Sequence, residues 1–150
     1  MNFKPPKILI EALATGKWKP VAPNVIRRCL GDDLYDLKLF ENLDAMELMP
    51  GILEAGGYVD DPVFCMTREV NRSSEDPRLE FPRALFIAGS IMPGDDVFVA
   101  IRREDFDEYD PPVLVLDWRK KAPYRWTERG RLSELINGIG LECAQKQHTL

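Results

Sequence analysis

One histidine and three cysteines in 150 residues leave this chain short of the side chains that most often do chemistry at neutral pH. His148 lies close to the C-terminal end, where a catalytic triad would find little to hold it, so acyl transfer through an imidazole base is not expected. Cys29, Cys65 and Cys143 are widely spaced and form no Cys-x-x-Cys. Their odd number leaves at least one thiol unpaired, and reduced core cysteines are the expectation. Three scattered thiols and one histidine also supply no zinc-ligand spacing. A Gly-rich phosphate loop, a Gly-x-Ser-x-Gly elbow and a His-Glu-x-x-His helix are all missing, and Gly89-Ser90 lacks the flanking glycine of an exposed nucleophile. Long apolar runs are missing too. Met1 to Ile10 holds Pro5-Pro6 and one apolar stretch of three residues, too short for a signal peptide or a membrane span. Positive charge is not in excess: 20 Lys and Arg face 25 Asp and Glu, a net charge of -5, which argues against nonspecific nucleic-acid binding. These absences predict a cytoplasmic, soluble protein with no cofactor and no metal, and leave a carboxylate-based or metal-assisted enzyme as a rival reading.

What is present is an ordinary globular composition, 45% apolar and 30% charged. The length suits one domain over residues 1–150, able to bury about two thirds of its unfolded surface, with fraying expected after Leu141. Ile8, Leu9, Ala12 and Leu13 share one helix face behind Pro6, and Gly16 is a natural stop. A second short helix is predicted over Val25 to Leu30, ended by Gly31. Leu37 to Phe40 reads as a strand, and Asn42 or Asp44 as the cap of a helix presenting Leu43, Met46 and Met49 before Pro50-Gly51. Asn71 to Pro82 reads as a polar loop. From Ala84 the pattern turns extended. Val97, Val99 and Ile101 alternate with Phe98 and Ala100, so both faces are apolar and the strand is central. Ser90 to Asp95, with Pro93-Gly94 inside it, and Glu104 to Pro112 read as hairpin connections, the second leading to Val113–Leu116. Leu132, Leu135, Ile136 and Ile139 fall at i, i+3, i+4 and i+7, an amphipathic helix that docks on the sheet.

Carboxylates are the only abundant reactive type. Asp32-Asp33, Asp60-Asp61 and Asp95-Asp96 are adjacent pairs, and neighbouring acids on a strand point to opposite faces, poor geometry for a two-carboxylate site. No calcium-loop pattern with its glycine occurs, so these acids read as solvated turn residues. One loop is set apart by its composition. Glu104, Asp105, Asp107, Glu108 and Asp110 make a charged surface, with Phe106 and Tyr109 as candidate anchors for a protein partner. The plainer reading is that like charges keep a hairpin tip soluble and guard the sheet against edge pairing. Trp18, Trp118 and Trp126 read as structural, and Arg119, Lys120 and Lys121 as a basic patch too short for nucleic acid.

The order of these elements over residues 20 to 140 resembles the SUKH superfamily, bacterial immunity proteins that also include a fungal cell-wall regulator. The likeness is strongest from Arg83 to Ile139. It rests on Phe86-Ile87-Ala88-Gly89-Ser90-Ile91-Met92-Pro93-Gly94-Asp95-Asp96-Val97-Phe98-Val99-Ala100-Ile101, a strand, a Gly-Asp turn and a second strand. Pro112 to Asp117 follows as the family's Pro-Val strand, and Trp126 with Leu132, Leu135 and Ile136 resembles its closing tryptophan and apolar helix. Leu37 to Leu53 is similar to the strand and helix before the sheet. The family often opens an early helix with Leu-Pro and follows it with Asn-Gly-Gly, where this chain has Ala22-Pro23 and Gly31-Asp32-Asp33. The resemblance implies an α+β domain, a mixed and mainly antiparallel sheet packed against helices. It also implies a protein that binds and neutralises a cognate toxin, often a nuclease. An intracellular scaffold or regulator on the same fold is the alternative. The family carries no fixed catalytic residues.

Overall fold

The computed structural model describes residues 4–47, 84–91, 97–117, 119 and 126–148. Helix α1, Lys7–Ala14, starts directly after Pro6, whose carbonyl accepts the Leu9 and Ile10 N–H groups, and buries Leu9 and Ala12. Thr15 caps its end, and Gly16 follows at a φ of 74°. Trp18 then turns inward and donates its indole N–H to the Phe40 carbonyl at 2.7 Å, a structural role as expected. Helix α2, Pro23–Leu30, places proline in its first turn, where a missing N–H costs nothing, and buries Val25, Ile26 and Leu30. Gly31 ends it at a φ of 140°, backbone that side-chain-bearing residues rarely adopt.

Strand β1, Leu37–Leu39, buries its two leucines and exposes Lys38. Asn42 wins over Asp44 as the next cap: its Oδ1 accepts the Ala45 N–H at 2.9 Å, and residues 43–47 are helical with Met46 buried. The predicted loop from Asn71 to Pro82, Met49 with Pro50-Gly51, the Pro93-Gly94 turn, Cys65, Trp118, Lys120 and Lys121 lie outside the described residues.

Strands β2 (Ala84–Ser90), β3 (Val97–Arg102), β4 (Pro112–Asp117) and β5 (Trp126–Arg131) complete a sheet ordered β1-β2-β3-β4-β5. Among the described residues every neighbour pair is antiparallel, so the α+β expectation is met by a sheet whose five described strands include no parallel pair. As its two-sided pattern predicts, β3 is the middle strand and all six of its residues are buried. Val99 stands opposite Ala88 on one side and Val115 on the other. Helix α3, Leu132–His148, closes the order of elements. It continues past Leu141, where fraying was expected, because backbone hydrogen bonding does not stop where the apolar stripe does.

β5 is a correction to the sequence reading, which passed from Trp126 directly to the last helix. Its Thr127, Glu128, Gly130 and Arg131 are exposed, so an edge strand of this composition carries no apolar alternation to be read.

The helices pack on one face of the sheet. Leu85, Ile87, Val97, Val99, Ile101, Val113 and Val115 join Leu9, Ile26, Leu30, Leu135 and Ile139 in one cluster. The opposite face is apolar as well: Phe86, Phe98, Ala100, Leu114 and Leu116 are all buried. There Phe86 and Phe98 meet edge to face, centroids 5.8 Å apart at 84°, a geometry that sets the positive ring edge on the negative ring face. Cys29, a free thiol on α2, packs partly buried against the helix-side core. Burial pushes its pKa up, against the opposing pull of Arg28. Alkylation of Cys29 at pH 8, followed by peptide mass mapping, is therefore expected to run ~10-fold slower in the native protein than in urea. Equal rates would show that the thiol is not sheltered.

Candidate protein-binding surface

The acidic loop joins β3 to β4 and is built on a buried ion pair. The chain leaves Arg102 through a 3-10 turn, Arg103–Asp105, which brings residues three apart onto one side. Arg102 Nε donates to Asp105 Oδ2 at 2.9 Å, with the residues only 5% and 2% exposed. Phe106 follows and inserts into the helix-side core. Two of the seven residues expected at a binding surface are thus corrected: Asp105 and Phe106 are the foundation of the loop, not its face.

Asp110 is also engaged. Its Oδ1 accepts the Ser133 N–H at 2.8 Å and its Oδ2 the Ser133 hydroxyl at 2.6 Å, while the Pro111 carbonyl accepts the Leu132 N–H. Glu134 meanwhile reaches back to the Arg131 N–H at 3.3 Å. These are the two halves of a capping box. The returning glutamate is local, and the capping carboxylate comes from a loop 23 residues away. Asp110→Ala is expected to cost about 1 kcal/mol of stability and to speed amide exchange at Ser133 and through the loop. Unchanged exchange would show that the loop does not lean on this helix terminus.

What remains outward is the tip. Glu104 is half-buried, while Asp107, Glu108 and Tyr109 are exposed, Tyr109 at 77%. Glu108 has one loose partner, Arg131 at 3.6 Å, both side chains about half in water. Such a pair contributes under about 1 kcal/mol and leaves the acid available. The loop therefore presents a bare phenol ring between carboxylates on a base tied to core and helix. Among the described residues no group of three His, Cys, Asp or Glu could hold a metal ion. The Ser90 hydroxyl accepts the Val97 N–H at 2.8 Å and serves the sheet.

A second polar centre links β5 and the end of β4 to the turn after α2, assembled from residues far apart in the sequence. Asp33, read as a solvated turn acid, receives both arms of Arg129 at 2.9 and 2.8 Å. That carboxylate holds the Arg129 guanidinium even further above neutral pH than usual. Gly31 lets the pair approach, since a Cβ there would meet Asp33 Oδ1 at 2.7 Å and collide with Arg129 Nη1. Arg119, read as part of a basic patch, forks onto Asp117 at 2.9 and 3.0 Å and donates to the Asp33 carbonyl at 2.6 Å. Its guanidinium lies 4.4 Å from the centre of the Tyr35 ring. Partners 86 and 96 residues apart gave no spacing to find.

The chain matches no protein-family model, no curated protein and no solved structure. Its architecture defines an α+β protein with an antiparallel meander, and among the described residues no helix is long and apolar enough to cross a membrane.

Proposed function

We propose that this chain is a non-catalytic binding protein of the SUKH type, an immunity protein that holds and neutralises a cognate bacterial toxin, a nuclease foremost. The observation that carries the reading is Tyr109, 77% exposed between acidic neighbours on a loop anchored by Arg102–Asp105, Phe106 and Asp110. A fixed aromatic side chain loses little conformational freedom when a partner covers it, which is what makes it an effective anchor. The carboxylates beside it attract a basic surface and raise the association rate, and a nuclease must present such a surface to its own substrate. Covering that groove takes an interface of about 800 Å² from each side. Glu104, Asp107, Glu108 and Tyr109 make the contact, while Asp105, Phe106 and Asp110 hold them in place.

The test is recovery of the tagged protein from its own cells at low and high salt. A stoichiometric basic toxin domain, lost as salt rises, is the expected companion. A housekeeping protein in its place would favour the scaffold reading. With the toxin in hand, Asp107→Lys with Glu108→Lys should slow association about 10-fold or more and flatten its salt dependence. Unchanged kinetics would remove the loop from the interface.

A further inference from the structure

This protein already holds one arginine in a receptor of its own making. Against the turn after α2, the Arg119 guanidinium lies 4.4 Å from the centre of the Tyr35 ring. It forks onto the Asp117 carboxylate at 2.9 and 3.0 Å and donates to the Asp33 carbonyl at 2.6 Å. A ring face, a carboxylate and a main-chain carbonyl hold the cation together. The ring takes the flat, weakly hydrated face of the guanidinium, and the oxygens take its edge.

The tip of the acidic loop presents the same three groups on consecutive residues. Glu108 supplies the carboxylate, Tyr109 the ring and Asp110 the carbonyl. One nitrogen, Arg131 Nη1, reaches two of them: Glu108 Oε2 at 3.6 Å and the Asp110 carbonyl at 3.3 Å. Both acceptors therefore face a single point. The third group is empty, since Tyr109 is 77% exposed and among the described residues nothing stacks on its ring. Its Cα is one peptide, about 3.8 Å, from that of Glu108. The Glu108 side chain, about half in water, has the torsions to follow a cation onto the ring. The Asp110 carbonyl is held in place, because the Asp110 carboxylate is fixed on Ser133. Arg131 is thus a partial occupant: it makes two long polar contacts and leaves the aromatic one unmade.

Charge agrees with a second guanidinium even when Arg131 is counted. Outside the buried Arg102–Asp105 pair, residues 103–110 carry four acids, and Glu134 adds a fifth beside the Arg131 N–H. Arg103 and Arg131 are the cations set against them. We infer that the loop tip is an arginine receptor: a guanidinium of the protein partner lies on the Tyr109 ring, donates to Glu108 and the Asp110 carbonyl, and pushes Arg131 aside. The inference rests on the loop being the binding surface and adds which side chain the partner brings. An ammonium is compact and strongly hydrated, gains less from an exposed ring and has no fork for two acceptors, so arginine is selected over lysine. Arg131 acts as a built-in competitor, and its removal strengthens binding of a cation.

The test is an NMR titration of the whole chain at low ionic strength with Ac-Gly-Arg-Gly-Arg-Gly-NH2 and its lysine counterpart. It is read on the Tyr109 ring and on the 107–110 amides. The arginine peptide should bind about three-fold more tightly, the share that an exposed cation–π contact supplies. Its methylene signals nearest the guanidinium should move upfield over the ring. Tyr109→Phe should keep the preference and Tyr109→Leu should abolish it, both at an exposed position where the fold is unaffected. Arg131→Gln removes a nearby like charge, so it should tighten both peptides about two-fold and keep the preference. Equal binding of the two peptides, no binding, shifts centred outside 107–110, or weaker binding by Arg131→Gln would each overturn the inference. A toxin recovered from cells alongside equal peptide binding removes this inference alone. Arginine preference with no toxin recovered removes the immunity reading alone.

Discussion

Arg102→Ala is expected to lower the free energy of unfolding by about 3–5 kcal/mol, far more than the loss of an ordinary surface ion pair. Arg102 and Asp105 are 5% and 2% exposed, and their contact is 2.9 Å. Removing the guanidinium leaves a carboxylate out of water with its principal counter-charge gone, so the cost is that of an uncompensated buried charge. The effect should be strongly non-additive. Arg102→Met combined with Asp105→Leu removes both charges and fills the space, and should recover most of the loss. Urea unfolding of the wild type, Arg102→Met, Asp105→Leu and the double variant gives the coupling energy directly. A cost below about 1 kcal/mol for Arg102→Ala would mean that water reaches the pair and that the loop has no rigid base. The consequence for binding is specific: the singly substituted protein, even where folded, should associate with its partner more weakly because the loop tip is no longer held.

Gly138→Ala should destabilise the protein even though alanine is preferred to glycine inside a helix by about 1 kcal/mol. Gly138 lies on α3 where that helix crosses α2, and a Cβ there would collide with Cys29 Sγ. The clash sets an expected net cost of about 1–3 kcal/mol, the range for overpacking a close contact. Cys29→Ala removes the sulfur. In that background the same Gly138→Ala change should reverse sign and stabilise by up to about 1 kcal/mol, since only the helix preference is left. Stabilisation by Gly138→Ala in both backgrounds would show that α2 and α3 do not approach as closely as the contact implies.

The elements that the sequence announces are those whose side chains are buried with a regular period. α1, α2 and the strands β2, β3 and β4 fall into that group. In β3, apolar residues on both faces name the central position outright, because only a strand covered on two sides tolerates them. β5 has no such signature: an edge strand can be polar, and its place in the sheet comes from hydrogen bonds to β4 that any sequence can make. The acidic loop was legible as a composition and not as a surface. Five acids look alike in a string of letters, yet Asp105 turns inward to Arg102, Asp110 reaches Ser133, and Asp107 and Glu108 face water. Phe106 and Tyr109 separate in the same way, one into the core and one into solvent.

The amino-acid sequence by itself determined the class of the fold, the run of helices and of β2, β3 and β4, the middle of the sheet, and the shortage of groups for acid–base or zinc chemistry. Periodicity and composition are local properties, and these conclusions need nothing more. Tertiary structure alone decided which acids are exposed, that β5 joins the sheet, and that the Arg119 guanidinium lies on the Tyr35 ring. Each of these depends on which distant residues meet. A charge counts as surface, foundation or cap only once its partner is in place.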